Sequence, residues 1–354
     1  MGMKKILTAY YPWLNENLYI VNVRNAILNS GYEVKSFYSI FKNLIKFLQC
    51  KIVNFNWFEN ALTWRSYCKK IIVLRLLKIF RKKVIYTIHN KQPHDLKHNK
   101  YAVKLMKKLC LQAVAIVGLC PDTLEVVQQI APQTCSKVNI IPHPNYIQNY
   151  LLTNSKNLRA RYNFTSENLV LLYVGLLRPY KNIELLIKIV NELKNEKIRL
   201  LIAGEPFNGE YCDELLRCAQ GNPNIVFDFR YVPDDEIVSY YNTADLVVLP
   251  YHKGSSLNSG VVYLSFSLKK TVICPDIGSI NMIPDKSFVY SYHYDTDAEH
   301  EDALSKVFMK AVSDFETNPD ILRQKGEAAY KYVSEEHSME IVEQKYAELY
   351  KSLE

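Results

Sequence analysis

The sequence predicts an α/β protein of two parallel-sheet domains in series, and three observations predict it. At 354 residues the chain exceeds what one hydrophobic core ordinarily supports. Short apolar runs rich in β-formers alternate with stretches of helical periodicity, the pattern of a parallel sheet with helices on both faces. The alternation breaks at a polar stretch, residues 153–168, and then restarts. The expected division is 1–150, 151–335, and a closing helix at 336–354 that packs back on the first domain.

In the first half, residues 4–10 read as a strand and 17–29 as a helix ended by Ser30-Gly31. Strand-like runs follow at 33–38, 51–57, 83–89 and 113–119, and KVNIIP closes the half at Pro142. In the second half the strands fall at 169–174, 198–203, 224–227, 246–249, 271–274 and 287–290. Three helical patterns, 301–317, 319–332 and 339–353, end the chain.

Composition narrows the class. Hydrophobic content of 48% with 23% charged residues belongs to an ordinary folded protein. A formal charge of +8 suits an anionic ligand or an anionic membrane surface and is too diffuse to argue for nucleic acid. The eight cysteines are scattered, without CxxC pairs or zinc-like spacing, which reads as reduced thiols in the cytoplasm. No signal peptide is recognisable at the start, and no apolar run reaches the roughly 18 to 20 residues a bilayer requires.

The stretch LVLLYVGLLRPYKN, residues 169–182, carries the first chemistry. A buried strand breaks at Gly175, passes Arg178, Pro179 and Lys181, and opens into the helical IELLIKIVNELK. Two cations and free N–H groups then sit at the carboxyl end of a parallel strand, where anions bind. A second loop, Ser255, Ser256, Asn258, Ser259 and Gly260, precedes the helical VVYLSFSL. Its simpler reading is N-capping by Asn258 or Ser259. Taken with the first loop, it makes a diphosphate site, each charge-assisted bond contributing roughly 1.5 to 3 kcal/mol.

In VIYTIHNKQPHDLK, residues 84–97, a strand ends at His89-Asn90 with His94 and Asp95 close behind. A histidine titrates near neutrality and serves as general base towards a hydroxyl, with a carboxylate to orient it. The competing reading makes these polar loop residues, with Asp95 a helix cap. Asn56, Trp57 and Glu59 end another strand and are candidates to line an acceptor site, Trp57 equally a packed core residue. His143 reads as a junction residue bonded to backbone. The basic stretch KKIIVLRLLKIFRKK, residues 69–83, is either a sheet-covering helix with solvated lysines or a membrane-surface helix.

The segments VGLLRPYKNIELLI, LLIAGEP, NIVFDFRYVPDDEIVSYYNTADLVVLPY and TVICPDIGS resemble the nucleotide-sugar half of GT-B glycosyltransferases of the family 4 type. The resemblance implies two Rossmann-like domains facing across a cleft, donor diphosphate at Arg178 and Lys181, and the nucleobase near Arg230, Tyr231 and Val232. It also favours His89, since such enzymes often carry a histidine at the end of this strand, with Trp57 and Asn90 in the acceptor region. Three features depart from the pattern. Leu176 stands where many members have Arg, Ser256 and Leu264 stand where a glutamate pair is usual, and residues 11–16 lack the common Gly-Gly.

The expected activity is transfer of a sugar from a UDP- or GDP-linked donor to a saccharide or lipid-linked saccharide in bacterial surface polysaccharide synthesis. No cofactor is expected, and no DxD-type motif calls for a metal. An anionic membrane surface is a further expected contact. A non-catalytic nucleotide-sugar-binding partner is the alternative. A NAD-dependent dehydrogenase is disfavoured, because no GxGxxG follows the first strand.

Overall fold

Parallel neighbours in a sheet need a crossover connection, and the helical stretch after each strand supplies it. The computed structural model describes residues 6–91, 100–150, 155–254 and 256–354. The chain divides into two units, Met1–Pro144 with Gly254–Asn258 and Glu336–Glu354, and Asn145–Lys253 with Ser259–Glu335.

The first unit contains β1 (Leu7–Tyr11), α1 (Leu18–Asn29), β2 (Glu33–Ser36), α2 (Phe37–Phe41), α3 (Leu44–Gln49) and β3 (Ile52–Asn56). It continues with α4 (Trp64–Ile79), β4 (Lys83–Ile88), α5 (Lys100–Gln112), β5 (Ala115–Gly118), α6 (Thr123–Ile130) and β6 (Val138–Ile140). The six strands pair in parallel in the order β2-β1-β3-β4-β5-β6. Strand order therefore reverses between β1 and β3, a switch point that opens a crevice at the carboxyl ends of the strands. The expected strand at 33–38 stops at Ser36, where Phe37 turns into α2 and packs its ring against Phe55 and Phe58.

The second unit contains β7 (Leu169–Val174), α7 (Ile183–Leu193), β8 (Ile198–Ala203), α8 (Gly209–Ala219), β9 (Ile225–Asp228), α9 (Asp234–Thr243) and β10 (Leu246–Val248). Then come α10 (Gly260–Ser267), β11 (Val272–Pro275), α11 (Gly278–Asn281), β12 (Tyr290–Tyr292), α12 (Asp297–Thr317) and α13 (Asp320–Glu336). The order β12-β11-β10-β7-β8-β9 is again all parallel, with its switch point between β7 and β10. The last strand begins at Tyr290, later than the expected 287, because Asp285 accepts from the Ser287 N–H and holds residues 286–288 in a 3₁₀ turn.

The last helix, α14 (Met339–Ser352), belongs to the first unit. Its Val342, Tyr346, Leu349 and Tyr350 are buried in one cluster with Tyr19, Val23 and Ile27 of α1 and with Ile52 and Ile85 of the sheet. The Asn54 amide of β3 donates to the Tyr350 hydroxyl at 3.3 Å, fixing the helix against the strand.

Candidate functional site

In the second unit the site is built by two loops flanking the switch point. All six residues of β7 are buried, as a central parallel strand requires. Beyond it Gly175 takes φ +130°, and its N–H donates to the Ala203 carbonyl at 3.0 Å. Gly204 at the end of β8 takes φ +150°, and a Cβ there would stand 1.7 Å from the Gly175 oxygen. Only glycine permits that approach, which lets the β7 loop pair with the β8 loop through the Leu177 N–H and the Glu205 carbonyl.

Arg178 is then extended, residues 179–181 form a 3₁₀ turn, and Asn182 in left-handed conformation starts α7 without a side-chain cap. The Arg178 guanidinium lies 4.8 Å from the Phe207 ring centroid. The Lys181 ammonium sits 3.8 Å over the Tyr251 ring, and burial pulls its pKa down to about 8. Neither cation has a carboxylate partner among the described residues.

Tyr251 follows β10 and is fully buried. Its hydroxyl oxygen accepts from the Ser259 hydroxyl at 3.2 Å, while the Ser259 N–H donates to Ser279 Oγ at 2.9 Å. With its hydroxyl so engaged, Ser259 makes no side-chain cap to α10, so the simple capping reading fails at this residue. Asn258 does not cap α10 either, as both polar atoms of its amide are buried with no hydrogen-bond partner among the described residues. Lys181, Tyr251, Ser259 and Gly260 are thus linked at one crevice: a desolvated cation, an aromatic face and the start of a helix with uncapped N–H groups. That arrangement stabilises an anion. Ser256 and Asn258 lie in the stretch Gly254–Asn258 that groups with the first unit, and Ser255 is outside the described residues.

Arg230, expected near a nucleobase, is held inside its own unit. Its Nε lies 3.2 Å from Asp228, its Nη2 donates to the Tyr240 hydroxyl at 2.7 Å, and it forms an ion pair with Glu236. Tyr231 is exposed and Val232 half-buried.

In the first unit the switch-point crevice has a different lining. His89, just after β4, is buried, and its Nε2 lies 2.9 Å from Asn56 Oδ1. Asn56 in turn donates to the Tyr11 carbonyl at 3.4 Å. Trp57 adopts φ +50°, a conformation that costs a bulky residue about 1–3 kcal/mol. It lays the indole on the His89 ring, centroids 3.9 Å apart and 19° between planes. Tyr19 meets the same imidazole edge-on at 5.2 Å. Asn90 is half-buried, and His94 and Asp95 lie outside the described residues.

Glu59, also buried, has Oε2 without a hydrogen-bond partner among the described residues, and burial pushes its carboxyl up to about 7. His143 is bonded to the Pro144 carbonyl at 2.7 Å, as its sequence position suggests.

Sequence reading missed Tyr251 and Phe207, the aromatic supports of the two cations. Their one signal was position, each falling shortly after a strand of the same parallel sheet.

Residues 154–281 match the family model described as Glycosyl transferases group 1. The GDP-mannose:glycolipid 4-beta-D-mannosyltransferase of Xanthomonas campestris pv. campestris is 29% identical over 131 residues, 36% of this chain and 37% of that protein. The lipopolysaccharide 1,2-N-acetylglucosaminetransferase of Salmonella typhimurium is 28% identical over 121 residues, 32% of each chain. The chain thus spans about a third of the length of the curated relatives it matches. Among solved structures, sucrose-phosphate synthase from Thermosynechococcus elongatus superposes with a TM-score of 0.74 at 14% identity, covering 99% of both chains. Anabaena Alr3699/HepE in complex with UDP and glucose gives 0.72 at 13%, covering 99% of this chain and 100% of that one. The fold is GT-B.

Proposed function

We propose that this chain, whose residues 154–281 are a group 1 glycosyl transferase domain, transfers a sugar from a nucleoside diphosphate donor to a hydroxyl acceptor. The carrying observation is Lys181: a desolvated ammonium with no carboxylate partner among the described residues, at the switch point of a parallel sheet beside the uncapped start of α10. An ammonium so placed needs an anion, and a diphosphate supplies one.

In this reading Arg178, Lys181 and the N–H groups at Gly260 stabilise the negative charge that grows on the leaving diphosphate, the largest electrostatic demand of the reaction. They do so without a metal. Ser259 and Tyr251 hold Lys181 and the helix start in register. Tyr231 and Val232 border the nucleobase, with Arg230 buttressing that loop through Asp228 and Glu236. His89, steered by Asn56 and Trp57, is the first unit's candidate base, and Asn90 borders the acceptor.

The donor is UDP- or GDP-linked, in keeping with the UDP held by the Anabaena protein and the GDP-mannose named for the Xanthomonas one. A saccharide or lipid-linked saccharide in surface polysaccharide assembly is the acceptor, met at the cytoplasmic face of a membrane.

The test is turnover of a panel of UDP- and GDP-sugars, read as released diphosphate, beside thermal stabilisation by the free nucleotides. Release with one donor and stabilisation by its nucleotide is the expected result. Stabilisation without release under any acceptor would leave a nucleotide-sugar binder, and neither would overturn the reading. Activity lost in EDTA and restored only by a divalent cation would refute the metal-free part.

A further inference from the structure

Charge along this chain is divided very unevenly. Residues 34–121 carry 18 lysines and arginines against two acids, Glu59 and Asp95, a net +16. With +8 for the whole chain, the remainder is net −8. Glu59 is buried, so it does not soften the surface of this stretch.

The structure gathers part of that charge on one face of the first unit. A groove of about 520 Å³ between α4 and α5 is lined by Arg75, Lys78, Arg81 and Lys108 among others. The side chains of these four have no ion-pair or hydrogen-bond partner among the described residues. Lys82 and Lys83 are different: Lys82 donates to the Leu48 and Cys50 carbonyls and Lys83 to the Leu353 carbonyl, so they are structural.

Beside this groove stands an apolar projection. The helix α3 leaves Leu44 and Ile45 each 68% exposed and Leu48 54% exposed, and the end of α4 leaves Ile79 71% exposed. The two ends are joined, since Phe47 of α3 packs on Phe80 at 5.0 Å and Lys82 spans to Leu48. Lys42, Lys46 and Lys78 flank the projection. All of it lies where α3 leads into β3 and α4 into β4, at the amino-terminal edge of the sheet. His89 and Asn56 stand at the carboxyl edge, so the candidate site has no use for these groups.

We propose that this face docks on the surface of an anionic lipid bilayer, with Leu44, Ile45, Leu48 and Ile79 entering the headgroup layer and Arg75, Lys78, Arg81 and Lys108 facing lipid phosphates. Exposed aliphatics ringed by unpaired cations match both layers of such a surface, apolar within and anionic at the rim. A second copy of the chain fits poorly, because pairing this face with itself would juxtapose two cationic fields. A nucleic acid would leave the aliphatics without a partner. The proposal needs no part of the anion crevice and survives if transfer activity is absent.

The experiment is co-sedimentation of the full chain with phosphatidylcholine vesicles, with and without phosphatidylglycerol, across a salt series. Binding to the anionic vesicles that weakens with salt, and little to the neutral ones, is expected. Replacing Arg75, Lys78 and Arg81 with Gln should lower partitioning on the order of a hundredfold, each cation contributing about fivefold. Leu44→Ser with Ile45→Ser should weaken binding at every salt concentration while leaving its salt slope intact. These side chains are exposed, so unchanged melting temperatures and unchanged nucleotide stabilisation should accompany both variants. Equal binding to neutral vesicles, full binding by the Gln variant, or a self-association that the Ser variant abolishes would each overturn the proposal.

Discussion

In the second unit the crevice between the ends of β7 and β10 holds Lys181 over the Tyr251 ring, with Arg178 beside Phe207. In the first unit the matching crevice, between β1 and β3, holds Asn56 bonded to Tyr11 and His89, with Trp57 stacked on the imidazole. The same topology makes both. Among the described residues, the former is left with two cations that lack counter-charges, whereas in the latter Asn56 and His89 are hydrogen-bonded and the imidazole is in aromatic contact. An unpartnered charge in a desolvated place is an energetic cost that a ligand relieves, whereas a satisfied cluster holds shape. In the proposed function the second unit's crevice is therefore the one that takes the charged ligand, and the first unit's orients His89.

The largest test of that contrast is Lys181→Met. Removing the ammonium should lower kcat/KM for the donor by about a thousandfold, roughly 4 kcal/mol, as for deletion of a main electrostatic donor. The side chain's pKa of about 8 sets a second expectation. Affinity for a nucleoside diphosphate should fall as pH rises past 8 in the wild type, because the ammonium is lost, and should be flat there in the Met variant. Calorimetric titration across pH 6.5 to 9.5 would show it.

Glu59 tests the other side of the comparison. Its carboxyl, pushed up to about 7 by burial, stands above an unfolded value near 4.5. Folding then favours the protonated acid. Below the unfolded value it contributes nothing adverse, and stability is lost as pH rises through 7. Over the whole interval the loss approaches about 3 kcal/mol. Glu59→Gln should raise stability at pH 8 by up to that amount and change it little at pH 4.5, measured by urea unfolding. His143 and His337 act in the opposite direction. Burial lowers them to about 3 and about 4, so both are neutral in the fold, and stability falls as pH drops below 6.5 through those values.

His89→Gln comes next. If His89 is the base, kcat should fall on the order of a hundredfold with the donor KM unchanged. Asn56→Ala should give part of that loss and shift the acidic limb of the pH–rate profile, since Asn56 fixes the ring. Full turnover in His89→Gln would return the cluster to a packing role.

How far the sequence disclosed this depended on the range of each interaction. The strand β7, the glycine break and the two cations lie within fourteen consecutive residues, so their change of period and of charge was legible. Tyr251 was not, because its link to Lys181 spans seventy residues and one tyrosine among 26 carries no local mark. The partner of His89 is likewise 33 residues away. Arg230 differs again. The resemblance places the nucleobase near residues 230–232, and the counter-charges that hold the Arg230 side chain, Asp228 and Glu236, lie only two and six positions off.

Arg230 also gives the smallest and most discriminating prediction. It stands in the same unit as Lys181 and carries the same charge, but its guanidinium is divided among Asp228, Glu236 and the Tyr240 hydroxyl. If an unpaired charge is what makes a ligand site, Arg230→Ala should weaken nucleotide binding less than about threefold. Its effect should appear instead as lost stability, about 1 kcal/mol given that the group is a third exposed and screened by solvent. A nucleotide affinity loss comparable to that of Lys181→Met would mean that paired cations bind donor here as strongly as unpaired ones. The contrast between the two crevices would then have to rest on geometry rather than on counter-charge.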